Sequence, residues 1–283
     1  MRVVIYSMIL PAAHGLVAGA RGAGLEPVAV ITPRPPEGDA ERAERARVLL
    51  DGAPRGLDLC FADTKASLAR LTRAYEPDLG LCISYPWRLP EEVLAIPSLG
   101  VVNGHPSLLP RHRGPFPWAW TIREGDTELG MTFHLMDADF DTGPILAQGS
   151  RPLPADTSLP GLLPTITELN GELLPRALDR LLTGDRGDPQ TDVGATYAGP
   201  FGADYLEVDL GRAAVEIDRQ VRAWAWIFAG SGEQRGPLTT LDGTRVRILR
   251  TTLTDPQNPD AHRLEAADAP VWVLESEPVS RSS

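Results

Sequence analysis

The chain has 283 residues, 27 basic against 38 acidic side chains for a net charge of −11, and two cysteines. Its length suits a domain of ordinary size with a smaller companion, and 42% hydrophobic residues can build a sizeable core, which excludes pervasive disorder. Cys60 and Cys82 lie in apolar runs and read as reduced thiols of a cytoplasmic protein, and no C-x-x-C pair exists to make a thiolate zinc site.

In chain order, MRVVIYSMILPAAHGLVAGA reads as a buried strand over residues 2–7 and a helix over 12–23, ended by Gly24. A signal peptide is disfavoured, because the n-region holds one arginine and Pro11 cuts the apolar run. No apolar run has the length of a membrane span. Strands follow over 26–32, 57–61, 78–84 and 99–105, with helices over 40–50 and 65–75 between them. Short, continuous apolar strands separated by helices indicate a parallel sheet buried on both faces. A Gly/Pro-rich loop leads to a short helix over 118–123, strands over 130–136 and 145–149, and a helical pattern over 158–183 that contains Pro160, Pro164 and Pro175.

The turn-rich segment 184–189 marks a boundary. Beyond it come a helix over 213–226 and strands over 244–253 and 271–276, the first of these alternating apolar and charged residues as a half-exposed antiparallel strand does. The expected fold is therefore α/β: a Rossmann-like domain over 1–189 with a mostly parallel sheet, and a smaller β-rich, OB-like domain over 190–283. Residues from Pro278 onward are expected to fray. GLVAGARGAG holds G-x-x-G-x-G late in a helix rather than the dinucleotide fingerprint G-x-G-x-x-G after a strand, so it argues for helix packing over cofactor binding.

Residues 103–148 carry the chemistry. Asn103 and His105 are two apart at the C-terminal end of a predicted central strand, so both side chains share a side, where ligands of open α/β sheets gather. Pro106 stops the strand, Ser107 can hold the next turn, and MDADFDTG adds carboxylates and a glycine turn. Position and residue type alone leave both a catalytic role and a merely hydrogen-bonded one open. His105 and His112 are seven apart across a proline-rich loop, which is not a standard metal-ligand spacing.

NGHPSLLPRHRG followed by GMTFHLMDADFDTGPILAQ closely resembles the formyltransferases that use 10-formyltetrahydrofolate. Their pattern is Asn-x-His-x-Ser-Leu-Leu-Pro-x-x-x-Gly with a later Asp-x-Gly turn, and Asn103, His105, Ser107, Asp141 and Gly143 stand at the matching positions. PDLGLCISYPWRLPEEVLAIPSLGVVN resembles the family's folate-pocket strand and loop. ATYAGPF and AAVEIDRQVRAW resemble the linker and first C-terminal helix of the methionyl-tRNA enzyme. The resemblance implies 10-formyltetrahydrofolate as co-substrate, no metal, and Asn103, His105 and Asp141 as catalytic residues. It implies folate contacts, largely through backbone, at Ile83, Ser84, Tyr85, Trp87, Arg88, Leu89, Pro90, Asp137 and Asp141. Formyl transfer to an amine suits these residue types. Asn103 can donate to the developing oxyanion, His105 can manage the amine's proton, and Asp141 can orient His105. Neither cysteine lies in this segment.

The acceptor is a separate question. Where the methionyl-tRNA enzyme carries a basic loop, residues 34–47 hold four arginines and four acids. From Gln190 onward there are nine arginines and fourteen acids, net −5, and Lys65 is the chain's one lysine. Such surfaces disfavour nucleic acid, whose binding rests on phosphate neutralisation. The loops YPWRLP and SMILPAAHG also depart from the tRNA enzyme's forms. The expected partner is a small-molecule amine or hydroxylamine, such as an amino-sugar nucleotide or an amino acid of secondary metabolism, with no membrane partner and with homodimerisation open. Methionyl-tRNA formylation and 10-formyltetrahydrofolate hydrolysis are the alternatives. The hydrolase is ranked lower because its relatives place a small regulatory domain ahead of the catalytic one. A non-catalytic binder is disfavoured by the complete trio. Trp118, Trp120, Trp224 and Trp226 are read as packing, and Trp87 as a residue facing acceptor or pterin.

Overall fold

The computed structural model describes residues 1–34, 47–48, 50–154, 159–227 and 236–279. They fall into two compact units. One comprises Met1–Arg113, Gly130–Arg151 and Leu162–Thr196; the other comprises Gly114–Leu129, Pro152–Gly161 and Tyr197–Ser283.

The first unit is built on a seven-stranded sheet in the order β3-β2-β1-β4-β5-β6-β7. Its strands are β1 Arg2–Tyr6, β2 Glu26–Pro33, β3 Asp58–Ala62, β4 Leu79–Ile83, β5 Val101–His105, β6 Glu128–Leu135 and β7 Ile145–Pro152. Pairings from β3 through β5 are parallel, and β6 runs antiparallel to β5. β4 is buried along its whole length, and so is β1 after Arg2, as strands covered on both faces must be. This is the α/β, mostly parallel architecture read from the apolar runs.

Local chemistry sets the helices. α1 (Leu10–Gly22) starts with Pro11 in its first turn, where the missing N–H costs nothing. α2 (Lys65–Tyr75) is fixed by a capping box. Thr64 Oγ1 accepts from Ser67 N and Ser67 Oγ accepts from Thr64 N, a device worth about 1 kcal/mol. α3 (Glu91–Leu94) is a single turn; α4 is Pro117–Glu124 and α5 is Leu159–Leu182. α5 passes through Pro164 and Pro175, each of which costs an interior helix about 3 kcal/mol. Burial of Leu169, Leu173, Leu174, Ala177, Leu178 and Leu181 offsets that, at about 1.5–3 kcal/mol per leucine. Arg47, Val48 and Leu50 are helical, while most of the helix expected over 40–50, with most of the neutral segment 34–47, lies outside the described residues.

The second unit contains α4, α6 (Ala214–Ile227) and a four-stranded sheet in the order β10-β11-β9-β8. The strands are β8 Leu238–Leu241, β9 Thr244–Thr252, β10 His262–Glu265 and β11 Pro270–Pro278, with all three pairings antiparallel. Val221, Leu241, Val246, Ile248, Leu264 and Val273 form its core. Trp118 packs edge-on against Trp226 at 5.1 Å, and Trp224 donates to Tyr205 O. The expectation of fraying from Pro278 is corrected for Pro278 and Val279, while residues 280–283 lie outside the described residues. Pro278 pairs with Val246, and Val279 N donates to Arg245 O, because β11 continues along β9. No helix of the described residues is long and apolar enough to cross a membrane.

Candidate active site

β5 ends the parallel series and delivers Asn103 and His105 to the same side of its C-terminal end, with β4 alongside and β6 antiparallel beyond. His105 is buried. Its Nε2 lies 2.8 Å from the carbonyl oxygen of His112, and a carbonyl only accepts, so Nε2 carries a hydrogen. Nδ1 is left to face Asp141 Oδ2 at 3.5 Å. Burial lowers the His105 pKa below the ordinary imidazole value. The Asp141 carboxylate and the His112 carbonyl work against that, and the rings of His134 and His112 add to it.

Asp141 reaches the site from the turn after β6. Its φ is +55°, in the left-handed region. The turn is tight because the chain doubles back on β6: a Cβ on Gly143 would lie 1.8 Å from Leu135 O, so no other residue fits there without displacement. Asp137 Oδ1 accepts from Thr142 Oγ1 at 2.7 Å and fastens the turn from within. Asp137 thus serves the turn, with its side chain exposed.

Asn103 Nδ2 lies 3.3 Å from Asp141 Oδ1 and 3.2 Å from His134 Nε2. His134 is a member of this cluster that the sequence reading missed. It is fully enclosed on β6, directly opposite Asn103 in register, and its Nε2 is 3.4 Å from Asp141 Oδ1. Its Nδ1 lies 2.9 Å from Leu135 O and so holds a hydrogen, and in that tautomer Nε2 accepts from Asn103. Cys82 is opposite Asn103 on the other side, in β4. Burial and the nearby Asp141 charge push its thiol well up, so it stays protonated and is no nucleophile. Ser107 Oγ donates to Arg111 O at 2.7 Å and shapes the turn that carries the His112 carbonyl.

The folate loop follows β4. Ser84 has φ +48°, in the left-handed region, directly after the end of the strand. Ile83 and Leu89 are buried, Tyr85, Trp87 and Pro90 half-buried, and Ser84 and Arg88 exposed. Tyr85 stacks edge-on between Tyr6 and Trp87. Arg88 reaches the Asp141 turn, with Nη2 3.9 Å from Asp139 Oδ1 and its guanidinium 5.6 Å from the Phe140 ring centre. Among the described residues no group of three or more His, Cys, Asp or Glu is placed to hold a metal ion.

The profile of the formyl transferase family matches residues 9–178, more than half of the chain. The chain belongs to the formyl transferase family. The chain is 37% identical over 195 residues to the methionyl-tRNA formyltransferase of Pseudomonas putida (strain GB-1), a match covering 68% of this chain and 59% of that protein. The chain thus spans about three fifths of that relative's length. Among solved structures, its fold is similar to HypX from Aquifex aeolicus in complex with tetrahydrofolic acid, with a TM-score of 0.68 at 18% identity, covering 100% of this chain and 45% of HypX. It is also similar to a sugar N-formyltransferase from a Shewanella species, with a TM-score of 0.63 at 20% identity, covering 88% of this chain and 96% of that one.

Proposed function

We infer that this formyl transferase moves the formyl group of 10-formyltetrahydrofolate to a primary amine or hydroxylamine of a small molecule. The supporting observation is the convergence of Asn103, His105 and Asp141 at the end of β5. The enclosed Tyr85 hydroxyl has no hydrogen-bond partner among the described residues, and its ring stands edge-on to Tyr6 and Trp87, which fits a flat ligand that supplies polar edges. Tyr85, Trp87, Arg88 and the backbone of 84–90 would hold the pterin, with the 136–141 turn closing the other side.

When bound, 10-formyltetrahydrofolate supplies an activated formyl group on N10. Asn103 donates a hydrogen bond to the formyl oxygen as an amine attacks, exchanging one of its present partners for it. His105, neutral through burial and held at Nε2, has Nδ1 available toward Asp141. That pair accepts the proton the amine loses and returns one to the departing nitrogen, so the sum of the steps conserves protons.

The small-molecule reading rests on the net −5 from Gln190 onward and the single lysine. Methionyl-tRNA is the second reading, favoured by the P. putida relative. The test incubates the protein with 10-formyltetrahydrofolate and, separately, nucleotide amino-sugars, amino acids, hydroxyornithine and initiator methionyl-tRNA, and reads formylated mass. A formylated small amine supports the first reading; formylation of the tRNA alone overturns it in favour of the second. Formate release without any acceptor points to hydrolysis.

A further inference from the structure

Gln190 belongs to no group of residues assigned above, yet its carboxamide is joined to both halves of the candidate site. Nε2 donates to the carbonyl oxygens of Asp141 at 2.8 Å and Gly143 at 2.7 Å. Oε1 accepts from Arg113 Nε at 3.2 Å and Nη2 at 2.9 Å. Arg113 directly follows His112, whose carbonyl receives the His105 Nε2 hydrogen. A short way along, Thr196 pins the same place again: its Oγ1 accepts from His112 N at 2.8 Å, and its carbonyl accepts from Arg113 N at 2.9 Å.

An amide has two hydrogens to give and one oxygen with two lone pairs, and here all four are used. Two carbonyls demand the NH2 end and a guanidinium demands the oxygen, so the group has one orientation. Its neighbours need that constraint. Asp141 and His112 both hold left-handed backbone, at φ +55° and +60°. Non-glycine residues in that region are strained and persist only where the surroundings over-determine them.

We propose that Gln190 is a positioning residue for formyl transfer, holding the Asp141 turn and the His112 carbonyl in one frame and so setting Asp141 against His105. The proposal rests on the triad as read under the proposed function. A displacement of about 1 Å at such a pair costs about 10²-fold in turnover.

The test reads the ring nitrogens of 15N-histidine-labelled protein by NMR at fixed pH. The reference variant is Asp141→Asn. Gln190→Met keeps the volume and removes every polar contact. Gln190→Glu keeps an acceptor for Arg113 and sets oxygen against two carbonyls. Asp141, His112 and His134 are the titratable groups facing His105. The expected result is that Asp141→Asn moves the His105 Nδ1 resonance and both Gln190 variants move it the same way, with the rings of His14 and His262 unmoved. A Gln190 variant that melts cooperatively and leaves His105 where it is in the wild type, while Asp141→Asn moves it, overturns the proposal alone. If Asp141→Asn itself moves nothing, the His105–Asp141 pairing is absent, and the triad reading falls together with the proposal.

Discussion

His105 Nε2 and the carbonyl oxygen of His112 are 2.8 Å apart, and this contact decides which nitrogen of the catalytic candidate works. With Nε2 committed as a donor, Nδ1 is the atom that accepts a proton, and Asp141 Oδ2 stands 3.5 Å from it. The sequence reading gave the orienting role to Asp141 alone. The backbone shares it from the opposite edge of the ring.

Removing either partner should stop the reaction without unfolding the chain. His105→Ala and Asp141→Asn are each expected to lower turnover by at least about 10²-fold, the usual worth of a positioned acid or base. Thermal melting should remain cooperative in both. Near-normal turnover in either variant would remove that residue from the mechanism.

The pH dependence follows from the burial of His105. Its pKa is lowered in the folded chain, so the neutral, proton-accepting form persists below about pH 6.5, the value of a free imidazole. The acid limb of turnover is expected below 6.5. The unfolded chain binds the proton more readily, so the stability linked to His105 is present above about 6.5 and lost as pH falls from there through the lowered value. Melting temperature measured from pH 8 to 5 should fall less steeply in His105→Gln than in the wild type. An acid limb above 6.5 would contradict this placement of the imidazole.

Gly143→Ala tests the turn. The new Cβ would collide with Leu135 O at 1.8 Å, so the segment carrying Asp141 must move. A loss of about 2 kcal/mol in stability is expected by denaturant titration, together with a fall in turnover larger than the loss of folded protein explains. A fully active, fully stable Gly143→Ala protein would show that the turn tolerates displacement.

His134 offers a test of a residue the sequence did not disclose. His134→Leu keeps apolar bulk but strips Asn103 of one partner, which costs about 1–3 kcal/mol where a buried polar group is left unmatched. Turnover should fall in the same variant because Asn103 loses its aim. Wild-type turnover and stability together would reduce His134 to packing.

Much of this was legible in the chain, for reasons that can be named. α2 begins at Lys65 because Thr64 and Ser67 close a capping box, a signal written in four residues. β4, Leu79–Ile83, is an apolar run with no competing pattern. β8 and β10 were missed: Leu238–Leu241 and His262–Glu265 are four residues each, and their pairing with β9 and β11 supplies what their composition lacks. Asn103, His105 and Asp141 stood out as a chemical pattern. His134 did not, because it sits in a strand buried from Leu129 onward and acquires meaning from lying opposite Asn103, a register that is a property of the folded sheet. Gln190 was read as the first residue past a boundary, and its hydrogen bonds span 47 to 77 positions of sequence.

The most direct measurement of the central claim is formyl transfer itself. Wild-type protein and His105→Ala are incubated with 10-formyltetrahydrofolate and the panel of amines and initiator methionyl-tRNA, and products are read by mass. The expected result is a formylated small amine with the wild type and none above background with His105→Ala. Failure of every small amine to react while methionyl-tRNA is formylated, or equal product from both proteins, would contradict it.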